Sequence, residues 1–172
     1  MNIDLQTLSM DSSADLHRLP EPCGPPRLIV CEPEGRWATA LRHEGFEADM
    51  LVETRALGTC WERLAESPAS FCIVALTPAN IAPLLARMAW WQRDFPLARL
   101  AVVAARSLVA HGELMREAGA VHFMTSPRRA GTLAELARRH LDAAPRARRS
   151  PTERIWAELP WSAIGVDQRE FP

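Results

Sequence analysis

What most constrains the fold of this chain is an alternation. Five short runs of strand character, RLIVC (27–31), FEADMLVE (46–53), FCIVAL (71–76), LAVVAA (100–105) and VHFM (121–124), are each followed by a segment with helical spacing. Short runs rich in Val, Ile, Leu and Phe suit strands that are covered on both faces. A helix between successive strands carries the chain back to the same edge each time, which implies parallel pairing through right-handed crossovers. The expectation is an α/β fold, a three-layer sandwich with one five-stranded parallel sheet and helices on both faces. Periodicity alone does not give the strand order.

The helical segments supply the outer layers. Trp37 and Leu41 lie four apart in a segment that closes on Gly45, a residue free to adopt the left-handed conformation at a helix end. Leu57, Trp61 and Leu64 form the stripe of a second helix, stopped by Ser67-Pro68. Asn80 stands where a third helix needs a cap, ahead of Ile81, Leu84, Leu85 and Met88 and a stripe running to Trp91. Trp90 and Trp91 are adjacent, so one helix cannot turn both toward the same core. The segment 107–119 reads as one continuous helix. The last helix opens on Thr132 and Glu135 at the spacing of a capping box, with Leu133, Leu136, Ala137 and Leu141 facing inward.

These elements divide the chain into three parts. Residues 1–26 read as a flexible leader ending in Pro20, Pro22, Pro25 and Pro26, which propagate neither helix nor strand. Residues 27–142 form the folded domain. Residues 143–172 form a basic linker followed by an aromatic tail in which Trp156, Leu159, Trp161 and Ile164 stand among polar residues. Such a tail either folds back on its own domain or anchors in a protein partner, and those four residues are the expected partner-binding set.

Charge and composition remove several function classes. The net charge is −1, so no global field points to nucleic acid or a membrane surface. The chain contains no lysine, which excludes a complete Walker A motif and a lysine Schiff base. Residues 128–154 hold eight arginines against three acids, a local basic stretch with no interleaved aromatic platform for nucleic acid. No apolar run approaches the ~20 residues of a membrane span, and no basic region with an apolar follow-on marks the N-terminus, so a cytoplasmic location is expected. Cys23, Cys31, Cys60 and Cys72 form no CxxC pair and read as reduced thiols. The five histidines are dispersed, so neither a metal nor another cofactor is expected.

Element order, spacing and the segment LRHEGFEADMLVE resemble the receiver domain of bacterial response regulators, a flavodoxin-like fold, over roughly two-thirds of the chain. The resemblance implies a site at the carboxyl ends of the strands. In an active receiver two acids after strand one and an aspartate after strand three hold a divalent cation, which prefers hard oxygen ligands. The aspartate is also the phosphoacceptor. Here the acidic pair falls on Cys31 and Glu32, with Glu34 as a displaced substitute, and the phosphoacceptor position falls on Val74 or Ala75. The hydroxyl position after strand four falls on Ala104, and the lysine position falls on Ser126, just before Pro127. Nucleophile, hydroxyl and lysine are absent together, so the groups that stabilise a transferring phosphoryl are absent too.

The expectation is therefore a degenerate pseudo-receiver: a non-catalytic signalling or regulatory module that is not phosphorylated and acts through protein contacts, homodimerisation included. One alternative is a small-molecule-binding or enzymatic α/β domain using the strand edges around Glu32, Glu34, Thr77, Ser107 and Ser126. It would show itself as a pocket there. The other is an arginine-mediated nucleic-acid binder, whose mark would be salt-dependent affinity.

Overall fold

The computed structural model describes residues 24–145. Its strands are β1 (Leu28–Cys31), β2 (Leu51–Thr54), β3 (Phe71–Leu76), β4 (Arg99–Ala104) and β5 (His122–Met124). Its helices are α1 (Arg36–His43), α2 (Leu57–Glu66), α3 (Ile81–Asp94), α4 (Gly112–Glu117) and α5 (Ala130–Ala143). Every pairing is parallel, in the order β2-β1-β3-β4-β5. The chain moves outward from β1 to β2, crosses back to β3 and then proceeds the other way. The connections leaving β1 and β3 therefore diverge to opposite faces, and a crevice opens between them at the carboxyl ends.

Strand alternation splits the interior into two cores. Leu28, Val30, Phe71, Ile73, Ala101 and Val103 face α1 and α5, where they meet Trp37, Leu41, Leu133 and Leu141. Ile29, Cys31, Cys72, Val74, Leu100 and Val102 face α2, α3 and α4, where they meet Leu64, Leu84, Met88 and Met115. Each fully buried Leu, Ile or Phe contributes ~1.5–3 kcal/mol relative to exposure. Strands flanked on both faces in this way must be apolar at successive positions, which accounts for the uninterrupted run in β3.

Several local expectations are corrected. β2 starts at Leu51, because 46–50 are used to leave α1: Gly45 takes a φ of 90°, Phe46 is buried, and the Met50 and Leu51 N–H groups both donate to the Glu47 carbonyl. The segment 107–119 is not one helix. A 3-10 turn covers Arg106–His111, and α4 begins at Gly112, which lies beneath Phe123; a Cβ there would stand 2.8 Å from the ring. The capping box does not form, since Pro127–Arg129 make a 3-10 turn that starts α5 at Ala130 and puts Thr132 inside its first turn.

Asn80 does precede α3, but its side chain makes no capping bond. It braces the loop after β3, accepting from the Thr77 N–H at 2.8 Å and donating to the Ala75 carbonyl at 2.8 Å. Trp91 is buried and Trp90 is 55% exposed, as adjacency on one helix requires. Cys60 and Leu64 hold the inward face of α2, while Trp61 is half-buried at the seam with α3, edge-on to Trp91 at 5.5 Å. Arg87 lies 5.8 Å from the Trp61 ring and 5.5 Å from that of Phe95. Cys31, Cys60 and Cys72 are buried free thiols, with the Cys60 and Cys72 sulfurs 3.4 Å apart.

Candidate functional site

A cavity of about 350 Å³ occupies the crevice at the carboxyl ends of β1, β3 and β4. Its floor and walls include Glu32, Ala75, Ala104 and Thr125, with Glu34 and Arg36 at the rim. Glu32 leaves β1 into this space, yet it is only 3% exposed. The N-cap position of α1 is Gly35, which has no side chain with which to cap the helix. Glu32 does so from the strand: its carboxylate accepts from the Trp37 N–H at 3.0 Å and from the Ala38 N–H at 2.6 Å. These are orphan donors of the first turn, and a carboxylate there also meets the positive end of the helix dipole. The Arg55 guanidinium bonds the Glu32 carbonyl at 2.9 Å and fixes the same turn from the β2 side.

Glu34 is committed elsewhere, in an exposed ion pair with Arg36 at 2.7 Å. The strand parity of β3 sends the two candidate acceptor positions to opposite faces of the sheet. Val74 pairs in register with Cys31, and both side chains enter the α2–α3 core. Ala75 faces the other way, packs against the α1–α5 core and reaches the cavity. The structure thus brings Glu32, Ala75 and Ala104 to one cavity, together with Glu34, Thr77 and Ser107. Cys31 and Val74 are not part of it. Ser126 lies instead in a neighbouring cavity of about 390 Å³, with Arg106, His122, Arg129 and Thr132.

The first cavity therefore presents the Ala75 methyl near the end of β3, and its buried carboxylate has both oxygens engaged by backbone N–H groups. No aspartate lines it. Among the described residues no group of three or more His, Cys, Asp or Glu side chains is arranged to hold a metal ion. Sequence reasoning did not place Arg36, Trp37 or Arg106 at the crevice, although all three line it. The available signal was position, since each lies within a few residues of a strand's carboxyl end. Trp156, Leu159, Trp161 and Ile164 lie outside the described residues. No helix among the described residues is long and apolar enough to cross a membrane.

No family model matches the sequence, and no curated protein matches it. Among solved structures, the chain is similar to the crystal structure of a response regulator from Thermotoga maritima, with a TM-score of 0.51 and 17% sequence identity. The likeness covers 69% of this chain and 99% of that one. At that identity the likeness is one of fold: a receiver-like, flavodoxin-like α/β sandwich.

Proposed function

We propose that this chain is a pseudo-receiver: a non-catalytic regulatory module that keeps the receiver architecture, is not phosphorylated, and works by binding a protein partner. The observation that carries this reading is the state of Glu32 and Ala75. The one buried carboxylate in the crevice serves as a remote cap for α1 through two backbone bonds, and the Ala75 side chain, one residue before the end of β3, is a methyl group. A phosphoryl acceptor needs a free carboxylate oxygen, a cation held by further carboxylates and a positive group to steady the transferred charge. With Ala75 at the acceptor position, Ala104 at the hydroxyl position and no lysine in the chain, the family's nucleophile, hydroxyl and positive group are absent, and of the cation-holding pair only Glu32 is acidic. On this reading the aromatic tail, through Trp156, Leu159, Trp161 and Ile164, is the contact element, since Trp combines large apolar area with a polar N–H.

The test is intact-mass spectrometry of the full chain after incubation with acetyl phosphate and Mg²⁺. The expected spectrum is unchanged, and a stoichiometric phosphoryl adduct would overturn the reading. The tail is tested separately by replacing Trp156 and Trp161 together with alanine. The domain is expected to keep its far-UV CD spectrum while losing the partner retained by the full chain. Equal retention by both forms would place the contact elsewhere.

A further inference from the structure

The second cavity is lined by two arginines and no acid. It runs along β5 and the start of α5, and its lining includes Arg106, His122, Ser126, Arg129 and Thr132, but no acidic residue. Neither Arg106 nor Arg129 forms an ion pair with an acid among the described residues, where six of the fourteen arginines do. Arg106 comes from the turn after β4 and Arg129 from the turn before α5. Two different loops thus deliver guanidinium groups to one concavity without a carboxylate to neutralise them. The first turn of α5 carries no acidic residue of its own and its N-cap residue makes no side-chain capping bond; the Glu44 carboxylate lies beside Gly131 in that turn, 3.3 Å from where a Cβ would stand. His122 registers the same field: burial first, then the Arg116 and Arg129 guanidiniums, holds it below the ordinary imidazole value.

From this arrangement we infer that the β5–α5 cavity binds a phosphate-bearing small molecule, with Arg106 and Arg129 as the principal anion ligands and the Ser126 and Thr132 hydroxyls as further donors. A tetrahedral phosphate presents more acceptor oxygens than a carboxylate and matches the planar fork of arginine. A volume of about 390 Å³ falls within the ~300–1,000 Å³ usual for small-molecule sites and leaves room for more than an inorganic anion. Arg106 and Thr125 line both this cavity and the crevice, so the two cavities adjoin. The inference goes beyond the protein-contact reading, because none of its residues belongs to the tail and none needs to be phosphorylated.

Isothermal titration of the full chain with pyrophosphate and, separately, with ADP tests the site. The probes are compared on wild type, Arg106→Ala, Arg129→Ala and the control Arg139→Ala, which removes an exposed arginine of the same helix outside the cavity. All three positions are exposed, so the variants are expected to fold, and far-UV CD checks this. Saturable binding of at least one probe, weakened about tenfold or more by each cavity variant and unchanged by the control, supports the site. NMR titration should then show the His122 pKa rising when that probe is bound, as an added anion offsets the arginines. Absence of saturable binding for both probes overturns the inference. So does equal weakening by all three variants, which would indicate general surface charge, and so does binding of a DNA duplex through the same arginines while neither small probe binds.

Discussion

Replacing Glu32 isolates the feature that separates a structural acid from a metal ligand. The side chain is 3% exposed and makes two bonds, at 3.0 and 2.6 Å, to the backbone N–H groups of Trp37 and Ala38. A hydrogen bond to a charged group contributes ~1.5–3 kcal/mol net. The adjoining cavity lets water reach part of this turn when the side chain is cut back, so the lower end of that range applies to each bond. Glu32→Ala should therefore destabilise the domain by about 3 kcal/mol. Glu32→Gln keeps one oxygen acceptor but turns an NH₂ donor toward the other N–H, so about half that loss is expected.

Urea denaturation followed by far-UV CD measures both variants. A Glu32→Ala stability within about 0.5 kcal/mol of wild type would refute the capping argument, because that is the scale of an ordinary surface substitution. Magnesium supplies the contrast. If Glu32 held the cation, Mg²⁺ at ten times its dissociation constant would stabilise wild type by about 1.4 kcal/mol, and the alanine variant would lose that response. The expected outcome is a large effect of the substitution and no effect of Mg²⁺ on either protein.

Three further outcomes are expected. Leu133→Ala, at a site with 0% exposure, should cost ~2–5 kcal/mol in the same urea melts, and Trp61→Ala should cost less because that ring is half-buried; the reverse order would contradict the assigned helix faces. Contact with Cys60, then burial, pushes the Cys31 thiol up; for Cys60 the Cys31 bond acts downward, but the Cys72 bond and burial outweigh it. These thiols and the buried Cys72 should resist iodoacetamide in native buffer and react in urea, as peptide mapping of the alkylated protein would show. Burial, with a smaller contribution from Arg99, holds His140 below the ordinary imidazole value against the raising effect of its bonds to the Ala69 and Ser70 backbone. Its unfolded form therefore takes up a proton first: stability is full above a pH of about 6.5 and declines as pH falls through that value toward the folded pKa. His140→Gln should flatten part of that decline in urea midpoints measured across the range, leaving the slope from His122, which shifts in the same direction.

The layers of the sandwich were legible because burial on both faces imposes a strong pattern. FCIVAL at 71–76 is β3 to the residue, and RLIVC and LAVVAA fall within one residue of β1 and β4. The failures occur where a contact distant in sequence decides local structure. The segment after β4 changes from a 3-10 turn to α4 at Gly112, where Phe123 packs against the backbone, a contact absent from residues 107–119 themselves. Thr132 and Glu135 have capping-box spacing, yet the turn at Pro127 starts α5 two residues before Thr132. The choice between Val74 and Ala75 turned on strand parity at the carboxyl end, where one residue of uncertainty moves a side chain from the cavity to the opposite core.

Glu32 illustrates the harder part of reading a site. An acid directly after the first strand has the position of a cation ligand, and sequence spacing alone cannot tell a ligand from a cap. The difference lies three residues downstream. Gly35 occupies the N-cap with a φ of 76°, a backbone conformation that favours glycine, and so α1 begins without a side-chain acceptor of its own. The first-turn donors must then be met from outside the helix or by water, and the buried acid five and six residues before them is the group within reach. In this chain the glycine N-cap and the acid at the strand end go together, and the carboxylate is engaged. Once engaged, each oxygen of the Glu32 carboxylate already accepts one backbone N–H bond, so a cation would compete with the helix cap for it.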